Sequence, residues 1–419
     1  MSKHTLSQGV GMVAAMAMLL APHTIMADGE LTISGWINEG MTYWDDGDDT
    51  DAAQLSDNGT TLGSRIVFAG SYKPPKTDLN AGFEVILEPL SGTSNFAGGG
   101  QITPLLFANQ DNVDTFNGGD IGALGHSLYV GGGWGKITLG LQSMPTDNIA
   151  VLQDPSLTIW SGISPVFRGN GFFIRGVQET NPQTGETVSN TWGSFLQCLT
   201  TPGLGIGIDC NGVYRNGARY DLPTFGDVSM AVGYANDSVY DVALKWDPTF
   251  DDFNVKFGIG YAINNDGGTN VFADDSDVFQ TQLGVLHSGT GLFGVATYQL
   301  ENADDAASGT GDDTDAYYFK VGIQKSWFGF GDTSIYADYA MYNDQYGSGR
   351  DDGNNPTGVD GSEVQHIGFG LVQNFGSRLR IYAKWEQLSL DVDGNANAKA
   401  IYDDADDLNM ITTAGVFFF

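Results

Sequence analysis

From Glu30 to the last residue, short blocks of this chain alternate apolar and polar side chains with a period of two. In SRIVFAGSYK, Ile66, Phe68 and Tyr72 fall on one side, and Arg65, Ser71 and Lys73 on the other. In NVKFGIGYAI, Val255, Phe257, Ile259, Tyr261 and Ile263 oppose Lys256, Gly258 and Gly260. In RLRIYAKWE, Leu379, Ile381, Ala383 and Trp385 oppose Arg380, Lys384 and Glu386. That period belongs to strands with two unlike faces. Sixteen blocks carry it, at about 30–44, 60–73, 79–90, 126–133, 136–142, 212–222, 227–236, 238–247, 253–264, 276–288, 291–302, 314–326, 332–343, 362–374, 378–391 and 408–419. After residue 27 no apolar run reaches the length of a membrane helix. If the chain enters a membrane, it does so as a closed barrel, the other way to satisfy a backbone in lipid.

The connections between blocks fall into two classes that alternate strictly. Short ones place an aromatic residue beside Gly or Asp: GGWGK at Trp134, PTFGD at Phe225, DPTFDDF at Phe250, GLFG at Phe293, WFGFGD at Trp327 and NFGS at Phe375. Long ones are acidic, as in DDGDDTDAAQLSDNG and NDQYGSGRDDGNNPTGVDG. The net charge of −33 resides there, although charged residues make up only 16% of the chain. An even number of up-and-down strands, with short turns at one rim and long loops at the other, describes an outer-membrane barrel. The aromatic residues of the short turns fit an interfacial girdle. We therefore expect an all-β fold, a transmembrane antiparallel up-and-down β-barrel of 16 strands over residues 28–419. A soluble β-propeller would repeat at roughly 40–50 residues with a blade signature, and no such repeat is visible. The acidic balance excludes a nucleic-acid binder that works by neutralising phosphates.

Lys3 and His4 precede the apolar run VGMVAAMAMLLA, and PHTIMA ends at Ala27, so residues 1–27 read as a signal peptide for export. Export makes the two cysteines, Cys198 and Cys210, a candidate disulfide, with a pair of free thiols as the alternative. The chain stops on ITTAGVFFF, a greasy end that needs burial and finds it as the sixteenth strand. Of the five His, His4 and His23 lie in the signal peptide. His126, His287 and His366 fall on strands with no Ser or Asp partner in view, so no enzyme is expected. DDGDDTD and DVDGN offer carboxylates to calcium but lack the spacing and final Glu of an EF-hand loop. No other cofactor is expected.

Several stretches resemble trimeric Gram-negative porins. DNGTTLGSRIVFAGSYK (Asp57 to Lys73) looks like their second strand. LYVGGGWGKITLGLQS (Leu128 to Ser143) looks like the fourth strand, tight turn and fifth strand. NGVYRNGARYDLPTFGDVSMAVGYA (Asn211 to Ala235) is similar to the sixth and seventh, and the aromatic end to the closing strand. The resemblance implies a homotrimer in the outer membrane of a Gram-negative bacterium, in contact with lipid and lipopolysaccharide. It implies passive diffusion of small hydrophilic solutes and ions, which agrees with the aqueous lumen that 16 strands leave.

The resemblance further implies that the loop after the fifth strand folds into the lumen as a constriction. Here that segment is 144–211, the longest connection in the chain. Its candidate acids are Asp147, Asp154, Glu179, Glu186 and Asp209. They would face basic residues of the wall: Arg65, which matches the second-strand Arg of the family, Arg215 and Arg219 on strand six, and Arg380 and Lys384 on strand fifteen. Tyr214, Ala218 and Tyr220 would face lipid or a neighbouring subunit. Basic residues facing lipid cost roughly 2–4 kcal/mol at the bilayer midplane, which sends them inward. Opposed charges across a narrow gap orient dipolar solutes, and the acidic mouth leads us to expect a mild cation preference. The competing reading is a substrate-specific channel, for example for sugars, with inward Trp36, Tyr129, Tyr318, Tyr336 and Tyr382 as an aromatic track.

Overall fold

The computed structural model describes residues 29–53, 62–89, 110, 121–163, 169, 171–178, 180–182, 185, 191–196, 198, 207–212, 214–265, 275–304, 312–346 and 358–419. The expected signal peptide, residues 1–27, lies outside the described residues, as do Glu179 and Glu186.

Sixteen long strands follow one another. They are β1 (Gly29–Asp45), β2 (Arg65–Tyr72), β3 (Asn80–Pro89), β4 (Ile121–Gly132), β5 (Gly135–Ser143), β6 (Tyr214–Asp221), β7 (Val228–Ala235) and β8 (Val239–Trp246). Then come β9 (Phe253–Asn264), β10 (Asp275–His287), β11 (Leu292–Asp304), β12 (Asp312–Phe328), β13 (Gly331–Asn343), β14 (Val359–Phe375), β15 (Leu379–Gly394) and β16 (Leu408–Phe418). Two ladder fragments, Thr50–Ala53 and Thr249–Phe250, only extend hairpins. Each strand pairs antiparallel with the next, and β16 pairs with β1 from Trp36↔Phe418 to Asp45↔Asn409, closing the ring. β1 is shared along its length: Gly29–Trp36 pairs with β2, and Trp36–Asp45 with β16. That stagger accompanies the strand tilt of a closed barrel.

Observed strand bounds lie within a few residues of those expected, except that β2 begins at Arg65 rather than 60 and β4 at Ile121 rather than 126. Gly122 and Gly125 contribute no side chain, so alternation is invisible over its first turn of sheet. The strict alternation of loop classes also fails once. Between β7 and β8 the loop-side connection is only the 3-10 turn Asn236–Ser238, and Ser238 makes the reversal with φ 57°.

Outside, the apolar half of each strand faces the membrane: Leu31, Ile33, Leu128, Leu139 and Val321 are each more than half exposed. Aromatic residues crowd both rims. Phe328, Phe330 and Phe375 stack at 5.5 and 5.2 Å on the turn side. Tyr234–Tyr240 and Tyr298–Tyr317 pair at 5.1 and 5.6 Å toward the loops. An apolar band between two such belts matches the depth profile of a bilayer.

Inside, the face is not polar throughout, as an aqueous lumen alone would require. The loop-side half of β12–β16 and β1 turns Ala316, Tyr342, Val364, Leu388, Met410 and Trp44 inward, all buried. Phe172, Ile174, Trp192, Phe195 and Leu196 of the 144–213 connection cover them, together with the short helix α1 (Ala396–Tyr402). Phe195 lies 4.2 Å from Tyr346 and 5.3 Å, edge-on, from Tyr402 of α1. Asn395 caps α1 by accepting from the amides of Asn397 and Ala398. Each large side chain so buried contributes about 1.5–3 kcal/mol. One side of the mouth is therefore filled by an apolar core.

Candidate functional site

The long connection is seated on one wall of the lumen, and the sequence of that wall explains why. β9 and β10 turn Gly258, Gly260 and Gly284 inward. A Cβ at Gly258 would stand 2.8 Å from Gln153 Cγ, and one at Gly260 2.9 Å from Thr146 Cγ2. The missing side chains form a trench that takes residues 146–155. Beside it stand glutamines, whose primary amides both donate and accept and so can continue a backbone ladder. Gln282 donates to Ala150 O at 2.7 Å and accepts from the Gln153 amide. Gln299 accepts from the Cys210 amide at 2.8 Å and donates to Gly207 O at 3.1 Å. Gln324 accepts from the Leu157 amide at 3.0 Å. Cys198 and Cys210 are bonded to each other, with Cα atoms 5.4 Å apart, and tie the returning leg beside Gln299.

Beyond the trench lies a buried ionic cluster. Lys320 Nζ on β12 is 2.6 Å from Asp154 Oδ2 and 2.6 Å from Gly162 O. Tyr318 OH is 2.7 Å from Gly162 O and 2.8 Å from Asp338 Oδ2. Lys384 Nζ is 3.1 Å from both Asp338 Oδ2 and Glu386 Oε2, and His366 Nε2 is 3.6 Å from Glu386 Oε2. Asp154, on the connection, and Lys384, on the wall, are thus both buried away from the open water. Tyr318, Tyr336 and Tyr382 are covered with them, at 3%, 1% and 3% exposure, which leaves no ring face for a sugar to stack on. Lys320, Asp338 and Glu386 were not singled out from sequence. Their inward parity was legible, but the path of the loop that joins them has no periodic signature.

At the boundary with the open lumen, Trp160 of the connection packs 5.3 Å from Trp36 and 5.5 Å from Phe418. Arg65 lies over Trp36 at 4.7 Å and pairs with Glu88 at 2.9 Å, while Arg380 lies over Phe418 at 5.0 Å. On the far side, β2–β6 enclose a cavity of about 330 Å³ whose lining includes Glu84, Tyr129, Lys136, Tyr214 and Arg219. Tyr214 therefore faces the lumen rather than lipid. It stands at the start of β6, where its ring crosses Gly125, a position with no Cβ to stop it. Arg219 donates from Nε to Asp221 Oδ1 at 2.9 Å and from a terminal nitrogen to Ser143 O at 3.2 Å. Arg215 stands opposite Gln142 as Arg219 stands opposite Thr138, on the same face of β6.

The acids of the connection divide by environment. Burial pushes the Asp147 carboxyl up to about 6, against the pull of the Ser143 hydroxyl and of Arg65, Lys245 and Arg219. Burial, and then the neighbouring Asp147 charge, push Asp209 up to about 8. Asp209 also accepts from Gln280 Nε2 at 3.3 Å. In DDGDDTD, Asp46 accepts from the Asp48 and Asp49 amides, from Gln110 and from Arg175 Nε at 2.9 Å, so its carboxylate is committed within the protein.

The profile of a family described as Gram-negative porin matches residues 13–406. No curated protein sequence matches the chain. Among solved structures, an anion-selective porin from Comamonas acidovorans is similar with TM-score 0.57 at 16% identity, over 94% of this chain and 100% of that one. OmpT, an in-vitro folded outer membrane protein of Vibrio cholerae in its trimer form, has TM-score 0.51 at 14% identity, over 93% and 99%. The outer membrane channel DcaP of Acinetobacter baumannii has TM-score 0.53 at 11% identity, over 96% and 100%.

Proposed function

The chain belongs to the Gram-negative porin family and forms an outer-membrane channel for passive diffusion; on that premise we propose that solutes pass through a crescent between the seated connection and the wall of β2–β6. One observation carries this reading. The connection is held to one side, with the Thr146 amide on Asp241 at 2.9 Å and Leu157 on Gln324, while the β2–β6 side keeps its charged cavity. Residues 144–211 then act as the constriction. Asp147 is its carboxylate, opposed by Arg65, Arg215 and Arg219, and Lys245, unanticipated from sequence, joins the basic side. Asp154 and Asp209 act as fasteners of the loop, Lys384 holds Asp338 and Glu386 together on the wall beneath it, and Arg380 steadies the Trp160 stack.

The field across such a gap orients small hydrophilic dipoles and disfavours apolar solutes. Charges of both signs line the gap, whereas the net −33 of the chain comes largely from the mouth loops. A cation preference follows that is strongest at low salt and fades as the Debye length falls from about 30 Å at 0.01 M to about 3 Å at 1 M. The reading includes a homotrimer, supported by the resemblance and by the trimer form of the OmpT relative, set in lipid and lipopolysaccharide. It is one of conduction rather than catalysis. His287 bonds Thr290 at the turn rim, and His366 lies beneath the loop. Single-channel recording of the refolded protein tests the reading, with reversal potentials across salt gradients. Anion selectivity at 0.01 M salt would refute the charge argument, and a monomer-sized band on an unheated gel would refute the trimer.

A further inference from the structure

The cavity on the β2–β6 wall has two electrical poles. Glu84 on β3 opens into it and has no ion-pair partner among the described residues. Lys136 and Arg219 enter from β5 and β6 and, among the described residues, both form their ion pair with Asp221, at 3.3 and 2.8 Å. That carboxylate balances one of the two positive charges at that end. The row that crosses the wall from Glu84 runs through Ser127, Gly140 and Gly217, all small, and so leaves the space beside Glu84 open. Three strand spacings of roughly 4.8 Å set Glu84 and the β6 backbone about 14 Å apart, and the two long side chains reach in from the ends of that span. Tyr129 and Thr138 lie in the row that ends at Arg219 and supply hydroxyls along the floor.

We propose that this wall is a binding site for small zwitterions of the free α-amino-acid kind, with Glu84 receiving the ammonium group and Arg219 with Lys136 the carboxylate. A solute carrying an ammonium at one end and a carboxylate at the other makes a charge-assisted contact at each pole. A solute with one charge satisfies one pole and leaves the other bare. The site therefore sorts solutes of equal size by charge pattern, which a plain sieve does not. The proposal rests on the channel reading, because the wall is reached through the lumen.

The test uses the full-length protein in liposomes and three probes of similar size: L-serine, the cation serine methyl ester and the anion lactate. Serine is expected to enter fastest and to saturate. Glu84→Gln and Arg219→Gln are each expected to cut its advantage over the single-charge probes about tenfold, the weight of one charge-assisted contact. Glu84 has no ion-pair partner among the described residues, so Glu84→Gln carries the test even if Arg219→Gln fails to fold. If conductance is normal but the three probes enter at equal rates, or Glu84→Gln leaves the serine advantage intact, the site is refuted while the channel stands. Absence of any conductance in the parent protein overturns the channel, and the site with it.

Discussion

Asp154→Leu separates the seating of the connection from the stability of the barrel. Lys320 is 1% exposed, and among the described residues its carboxylate partner is Asp154, at 2.6 Å. The space around the pair is lined by Val151, Ile163, Val295 and Tyr318 and holds about 10 Å³, the lower limit for a single water. Solvent therefore has little room to replace the lost carboxylate. Leaving one member of a buried pair uncompensated costs about 3–5 kcal/mol. The strand ladders do not use this contact, so the cost falls on holding the loop to the wall. At about 1.4 kcal/mol per decade, the unseated population rises by roughly two to nearly four decades. Single-channel current at fixed voltage should change from steady to flickering, with excursions to higher conductance. Asp154→Leu with Lys320→Met removes both charges in an apolar setting and should return the trace to quiet, since such replacements are often neutral. A quiet single variant, or a double variant as noisy as the single, would refute the reasoning.

Three further outcomes follow. Asp209 holds a proton up to about 8 in the folded chain, far above its ordinary 3.8; between those values folding retains a proton the unfolded chain has lost, so seating weakens as pH rises and the loss is complete above about 8. Current noise should therefore grow from pH 6 to 9, and Asp209→Asn should flatten that profile. Reducing the Cys198–Cys210 bond, which spans a separation of 12 residues, removes about 3 kcal/mol of chain-entropy stabilisation from the returning leg, to be read as faster proteolysis of the loop with the barrel intact. Gly260→Val places a branched side chain against Thr146 and should cost about 1–3 kcal/mol through overpacking, seen as altered conductance with little change in the heat resistance of the barrel.

The barrel was legible because its rule is local. Each strand announces itself through two unlike faces, and β9 was located to the residue. The site was only half legible, because it is made where a non-periodic segment meets a periodic wall. Arg65 and Arg219 could be placed inward by parity, yet parity also placed Lys384 inward and could not reveal that the loop covers it. Gly258 and Gly260 read as small inward residues, and only the buried path of 146–155 turns them into a trench. The apolar inner face was likewise hidden. An inward Val364 or Leu388 on an isolated strand is indistinguishable from a residue turned to lipid until something is seen packing on it.

The seam between the first and last strands has an implication for biogenesis. Thr42 and Thr412 exchange a hydrogen bond at 2.9 Å across 370 positions, and Gly35 and Phe419 bond backbone to backbone in both directions. The opening segment cannot find its neighbour until the final dozen residues have been made, exported and delivered. Until then each partial ribbon carries two raw borders, open to pairing with other copies.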